Sequence, residues 1–261
     1  MTATASPTPA PSLGQPRLPT RCVGILGGMG PAAGADFVRH FVQACIDFMQ
    51  QRGRVVCDQS FPPHWLAQIP VPDRTQALNA GGKAQNALLD AMAGALGQLQ
   101  ALGVGAVAIA CNTAHAWHAA LQTRFPQTEL LHVAREVASR LQTMGVSRVG
   151  LLATRGTYRI GLYEAALAHA GIACHLPDET GRELLMRGIY EGVKAGDLAH
   201  AQACFVDATQ RLMAAHGDVA LIMGCTEIPL ALEPAPQAAS WTLVNPTQVL
   251  AQALATRAYA P

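Results

Sequence analysis

The chain reads as an α/β protein of two similar domains, each a mainly parallel sheet with helices on both faces, and three observations predict it. First, strand-like apolar runs lie at about 22–27, 54–58, 105–110, 129–133, 148–153, 172–176, 219–224 and 241–244. They alternate with helical patterns such as 32–51, 75–102, 157–170 and 197–216. Such alternation predicts parallel strands joined by helical crossovers. Second, a strand ending in a glycine turn occurs twice: Val23-Gly24-Ile25-Leu26-Gly27-Gly28-Met29-Gly30 is echoed by Val149-Gly150-Leu151-Leu152-Ala153-Thr154-Arg155-Gly156. Third, a strand ending in cysteine also occurs twice, as Val107-Ala108-Ile109-Ala110-Cys111-Asn112-Thr113 and Leu221-Ile222-Met223-Gly224-Cys225-Thr226-Glu227. The order is the same in both and the offsets are similar but unequal, which indicates two related halves and not a short-period solenoid.

The 261 residues are 50% hydrophobic and 13% charged, the composition of a soluble globular protein with a substantial core. The net charge is +1 and no block of Lys or Arg forms a basic stripe, so nothing points to nucleic acid. Residues 1–20 hold five of the 17 prolines and lack hydrophobic periodicity, which predicts a disordered, dispensable tail. That segment has no basic start followed by an apolar stretch. No later run approaches the roughly 20 apolar residues needed to span a bilayer. A cytoplasmic protein without a membrane partner is expected. Seven cysteines, with no CxxC pair and an odd total, fit a reducing compartment. Cys22, Cys45, Cys57, Cys174 and Cys204 read as inert core thiols.

The strand at 241–244 and a final helix follow the proline-rich loop 233–236, which can carry the chain back to its beginning. The expected division is therefore a first domain of 21–126 plus 239–261 enclosing a second of 127–238. In open α/β sheets ligands bind beyond the carboxyl ends of the strands, where both cysteines and both glycine turns fall. A thiol in a strand-to-helix turn lies near the positive end of the helix dipole, which favours the thiolate. If the halves face each other, each cysteine reaches the cleft from its own side. The plainer alternative, two unconnected buried cysteines, is weakened by the repetition of the whole turn.

Gly28-Met29-Gly30-Pro31-Ala32-Ala33 fits G-x-G-x-x-[GA] after a strand, and Asp58 could then hold a ribose, giving a dinucleotide-binding reading. Asp58 lies further downstream than the roughly 20 residues usual for that role. A glycine turn whose N–H groups approach a small anionic ligand is the stronger interpretation. Cys111 and His115, four apart, suggest a metal pair or a Cys–His nucleophile. Only Glu227 near Cys225 could extend a metal set, so no metal is expected and His115 reads as a hydrogen-bonding core residue. Arg74 has the fork geometry for bidentate carboxylate binding, although a solvated helix-start arginine is the ordinary case, and a surface position is the ordinary case for Lys194.

Taken together, Gly-Ile-Leu-Gly-Gly-Met-Gly-Pro at 24–31, Pro-Asp-Arg-Thr at 72–75, Cys-Asn-Thr-Ala-His at 111–115 and Gly-Cys-Thr-Glu-Ile-Pro-Leu at 224–230 resemble the aspartate/glutamate racemase family, its aspartate racemase branch above all. The resemblance runs from about 21 to 255 with the motifs in the family's order. It implies a cofactor-independent enzyme of two similar Rossmann-like domains related by a pseudo-twofold, with the active site in the interdomain cleft. It also implies an amino-acid substrate and a homodimer. By motif, Cys111 and Cys225 match the acid/base pair. Asn112, Thr113 and Thr226 match residues holding the α-carboxylate and amino group, and Met29 and Gly30 match the first glycine turn. Arg74 and Lys194 match residues that hold the side-chain carboxylate in aspartate-type members. Two departures stand out: Ala110 replaces a proline often found before the first cysteine, and Asn245 stands where Asp-Pro-Thr is usual.

Inverting an α-carbon means removing a proton from one face and supplying one to the other, which two opposed thiols can do. The expected reaction is interconversion of L- and D-aspartate, with glutamate or a broader set of amino acids as alternatives. Competing readings are a nicotinamide-dependent oxidoreductase using the Gly28–Ala33 turn and a non-catalytic binding protein for small dicarboxylates. Retention of both thiols argues against the last.

Overall fold

The computed structural model describes residues 18–260, and in it two four-stranded parallel sheets repeat one topology. The first half runs β1 (Val23–Gly27), α1 (Pro31–Gln51), β2 (His64–Gln68), α2 (Arg74–Ala80), α3 (Gly82–Ala101), β3 (Ala106–Ile109), α4 (His118–Arg124), β4 (Glu129–Leu130) and α5 (Val133–Thr143). The second runs β5 (Arg148–Ala153), α6 (Arg155–Arg159), α7 (Leu162–His169), β6 (Ala173–His175), α8 (Glu179–Arg187), α9 (Leu198–His216), β7 (Ala220–Gly224), α10 (Ile228–Leu232), β8 (Leu243–Val244) and α11 (Pro246–Ala258). The sheet orders are β2-β1-β3-β4 and β6-β5-β7-β8, so each half places its glycine-turn strand beside its cysteine strand.

The central strands β1, β3 and β7 are buried along their whole length, which is why they read as continuous apolar runs and not as alternating ones. α1 starts with Pro31, whose fixed φ suits the first helical position. It buries Phe37, Phe41, Ala44 and Met49 on one stripe. The largest hydrophobic cluster runs through both halves, joining Val23, Ile25 and Phe41 to Val149, Leu151 and Tyr163. Two satellite clusters lie on the outer faces, one beneath α3 around Leu88, Met92 and Leu96, the other beneath α9 around Phe205 and Leu212.

Several elements depart from the sequence reading. No strand forms at 54–58. A short 3-10 turn occupies Asp58–Ser60, and the strand beside β1 begins at His64, immediately after Pro62 and Pro63, which cannot donate to a ladder. The long helix expected at 75–102 is two helices, because Gly81 and Gly82 take positive φ of 67° and 43° between them. The one expected at 157–170 is likewise α6 and α7, broken at Gly161.

Pairing also cuts across the expected boundaries. β4 joins β3 in the first sheet although 127 is the expected start of the second domain, and β8 pairs with β7 in the second sheet. Only the helix after it, α11, returns to the first half, packing on α1 and α5. The physical reason is that Leu243 and Val244 match the register of Leu221 and Ile222, and the crossing is made one element later. Of the expected tail, residues 1–17 lie outside the described residues, and Leu18 packs against the main cluster.

Candidate active site

Met29, Arg74, Cys111, Asn112, Thr113, Lys194, Cys225 and Thr226 line a single cleft between the carboxyl ends of the two sheets, enclosing about 310 Å³ with its open mouth. Asp73, Thr75, Thr154, Tyr190 and Glu227 line it too. Gly30 does not. It is the N-cap of α1, one residue behind Met29. Gly28 sets this turn: its φ is 90°, and a Cβ there would meet the Ile69 carbonyl oxygen at 2.3 Å.

Both cysteines sit at strand ends and are buried at 7% exposure, one from each half. The elements that follow them are too short for a strong macrodipole: Cys111 leads into a 3-10 turn at Thr113–Trp117, and Cys225 into the five-residue α10. The charges near the sulfurs come from side chains instead. Cys225 Sγ donates to Glu227 Oε2 at 2.9 Å, and Thr226 Oγ1 donates to the same oxygen at 3.0 Å. Burial, then the Glu227 carboxylate, push the Cys225 thiol well above the usual cysteine range. On the other side Arg74, itself buried, donates to the carbonyls of Met29 and of Pro72, while its Nε has no partner among the described residues. Burial opposes its charge. The neighbouring Cys111 sulfur, followed by Asp73 and Glu227, more than offsets this and keeps the guanidinium protonated.

Three buried hydroxyls bridge the halves behind the cleft. Thr113 Oγ1 lies 3.0 Å from Thr154 Oγ1 and 3.1 Å from Thr157 Oγ1, and Thr154 also caps α6 by accepting from the Thr157 N–H. Gly156 allows this approach: a Cβ there would fall 2.7 Å from Thr75 Oγ1 and 2.8 Å from Thr113 Cγ2. At the mouth, Tyr190 donates to Asp73 Oδ2 at 2.6 Å, and Lys194 Nζ lies 3.9 Å from the same oxygen and 4.4 Å from the Tyr190 ring centroid. Despite the cost of burial, the Tyr190 hydroxyl, the Gln76 N–H and Lys194 hold Asp73 below the usual carboxylate range. Tyr190 belongs to a π turn at Gly188–Gly192 that presses on α9, with Gly188 against Phe205 and Gly192 against Ala201.

His115 is structural, as the sequence suggested. Its Nε2 accepts from the Val133 N–H at 3.2 Å, which leaves Nδ1 to donate to the Cys111 carbonyl at 3.0 Å. Complete burial, with His132 nearby, drives its pKa down to about 3. Of the five thiols expected in the core, Cys45 and Cys204 are buried, Cys22 and Cys174 half-buried and Cys57 exposed; burial pushes Cys45 and Cys174 up to about 12. The two departures have local accounts. The Ala110 N–H donates to the Leu26 carbonyl at 2.9 Å, a bond proline could not make. Asn245 caps α11 through Oδ1 and donates to Glu233 Oε1 at 2.8 Å, a second contact that an aspartate would lose.

Asp58 lies in the exposed turn before β2, not at a strand end, so the dinucleotide reading lacks its ribose-binding carboxylate. A larger cavity, about 1710 Å³ with its open mouth, lies between α5 and α7 beside His132 and Arg135. It holds neither cysteine. The residues sequence reasoning missed are Glu227 as a partner of Cys225, and Asp73, Tyr190 and Thr154. Glu227 stands two residues from a cysteine, where the sequence suggests only a metal ligand, and Asp73 lies inside the Pro-Asp-Arg-Thr motif.

The model of the Asp/Glu/Hydantoin racemase family matches residues 26–254. The chain belongs to that family. Among solved structures, the Picrophilus torridus aspartate racemase is 26% identical with a TM-score of 0.71, covering 91% of this chain and 94% of that one. An aspartate racemase homologue from Pyrococcus horikoshii OT3 shares the fold at 21% identity and a TM-score of 0.70, covering 92% of this chain and all (100%) of the other. The broad specificity amino-acid racemase RacX of Bacillus subtilis is 24% identical over 211 residues, 81% of this chain and 87% of the relative. For an Asp/Glu/hydantoin racemase, the pair of parallel sheets with a shared cleft is the fold of its neighbours. Membership makes this chain an amino-acid racemase of the isomerase class, acting on small amino-acid substrates. No helix among the described residues is long and apolar enough to cross a membrane.

Proposed function

We propose that the chain is a cofactor-independent racemase that interconverts L- and D-aspartate, with glutamate as a further candidate, by proton transfer between Cys111 and Cys225. The observation that carries this reading is the pair of buried cysteines lining one cleft from opposite halves, with Arg74 beside one and Glu227 beside the other. One sulfur, as thiolate, removes the Cα proton. The other, as thiol, delivers a proton to the opposite face, and the two states are exchanged when product forms. The Cα–H is a very weak acid. Stabilisation of the incipient carbanion then falls to the substrate ammonium and to preorganised donors: Asn112, Thr113, Thr226 and the turn amides around Met29 and Gly30.

Arg74 and Lys194 are assigned to the distal carboxylate. Arg74 has an Nε unpartnered among the described residues after serving two carbonyls, and Lys194 Nζ lies 3.9 Å from Asp73 Oδ2. Homodimer assembly, on the strength of the resemblance, and a cytoplasmic location, on the cysteine usage, are carried as parts of the same proposal. The test is an amino-acid panel incubated without added cofactor and resolved by chiral chromatography. Conversion of aspartate in both directions is the expected result, and no conversion of aspartate or glutamate would overturn the assignment. The likeness to the Bacillus subtilis broad specificity racemase favours one second reading, a wider substrate range, which the same panel would reveal.

A further inference from the structure

The two thiols are not equivalent, although the fold that presents them is a repeat. Arg74 stands beside Cys111, fixed by the Met29 and Pro72 carbonyls. Glu227 stands against Cys225, with its Oε2 accepting from both Cys225 Sγ and Thr226 Oγ1. Glu227 is 6% exposed and accepts hydrogen bonds from those two neighbours, so its carboxylate is an acceptor aimed at the Cys225 proton. The two turns share their strands and not the residues after the sulfur, Asn112-Thr113 in one and Thr226-Glu227 in the other.

We propose that Glu227 is a positioning residue that sets the resting polarity of the pair, holding the proton on Cys225 while Arg74 stands on the Cys111 side. This inference rests on the two-cysteine reading above. An anion next to a thiol disfavours its ionisation and a cation next to one favours it, each by about 1–3 pH units in partly buried sites. The remaining charged and titratable groups facing the cleft are Asp73, Tyr190 and Lys194, which neutralise one another at the mouth. Tyr163 is also close, and burial holds its phenol neutral. None of these reverses the bias. With the proton held on Cys225, that sulfur serves as the acid, and the free enzyme is set for the enantiomer that presents its Cα–H to Cys111. Turnover of that enantiomer leaves Cys111 protonated and Cys225 charged against Glu227. The free enzyme then returns to its resting state by passing one proton from Cys111 to Cys225, directly or through water, with no net change in protons.

The test is the ultraviolet thiolate absorbance of the full chain titrated without substrate. Cys111→Ala and Cys225→Ala are each measured against the double variant, which subtracts the other five thiols. The expected result is that Cys111, read in Cys225→Ala, ionises at a lower pH than Cys225, read in Cys111→Ala. Adding Glu227→Gln to Cys111→Ala should move the Cys225 titration down by about one unit or more. Equal titrations, a reversed order, or no shift with Glu227→Gln would overturn the proposal. If Glu227→Gln does not fold, the order of the two thiols alone decides. Because no substrate is present, failure here is distinct from failure of the racemase assignment, which is read by chiral analysis.

Discussion

The phenolic hydroxyl of Tyr163 donates to Oδ1 of Asn112, a hydrogen bond between two buried side chains from opposite halves. Tyr163 comes from α7 in the second half, and Asn112 follows Cys111 in the first. With Oδ1 occupied, the amide orientation is fixed and its NH2 group is left as the donor. A tyrosine deep in one core thereby orients an amide beside a cysteine of the other. Tyr163→Phe keeps the ring packing and removes only this contact. It should lower kcat/KM for aspartate by roughly 5–30-fold, the equivalent of about 1–2 kcal/mol, with a small fall in Tm. Unchanged kinetics would show that Asn112 needs no such support.

Arg74→Ala should reduce aspartate turnover steeply. The variant loses the proposed partner of the distal carboxylate and the brace on the Met29 carbonyl. A cost of about 2–5 kcal/mol in transition-state stabilisation is expected by analogy with buried charge pairs. Steady-state kinetics with aspartate check it, and wild-type values would remove Arg74 from the site.

Asn245→Asp tests the local account of the second departure. Aspartate can still cap α11, but it cannot donate to Glu233 and would face that carboxylate with its own charge. A loss of about 1–3 kcal/mol at neutral pH is expected in urea unfolding, diminishing as the solution is acidified. A neutral or stabilising effect would mean the Glu233 contact contributes nothing.

The acid limb of stability should carry the signature of buried neutral histidines. Burial, with neighbouring cationic groups, lowers His115 from 6.5 to about 3 and His132 from 6.5 to about 4. Below 6.5 the unfolded chain binds protons that the folded chain refuses. The contribution is therefore intact above 6.5 and is lost as pH falls toward the folded values. Each group adds a slope of at most about 1.4 kcal/mol per pH unit in that window. Thermal unfolding across this range should show the decline, and His115→Gln should flatten it. An unaltered slope in the variant would contradict the assignment.

Much of the architecture was legible because its signals are local. Unbroken apolar strands such as 148–153 and 219–224 could be placed within a residue, and the doubled cysteine strand marked both sides of the cleft. Features decided by long-range choice were not. The run at 54–58 looks like a strand until the chain is paired, whereupon His64–Gln68 takes the position beside β1. The reach of β8 into the second sheet depends on register with β7 and leaves no mark in composition. At the site, the cysteines and Arg74 were visible as motif residues. The roles of Glu227, Asp73 and Tyr190 arise from contacts across the cleft or around a tight turn.

The most direct test of the two-base account follows the α-proton in deuterated buffer by NMR, with purified L- and D-aspartate and each single-cysteine variant. Cys111→Ala and Cys225→Ala should each abolish racemisation. Each should still exchange the α-proton of one enantiomer, Cys111→Ala only as the pH is raised far enough to ionise Cys225, and the two variants should favour opposite enantiomers, because the remaining sulfur faces only one side of Cα. Substantial racemisation by either variant, or exchange of the same enantiomer by both, would contradict the assignment of one base to each cysteine.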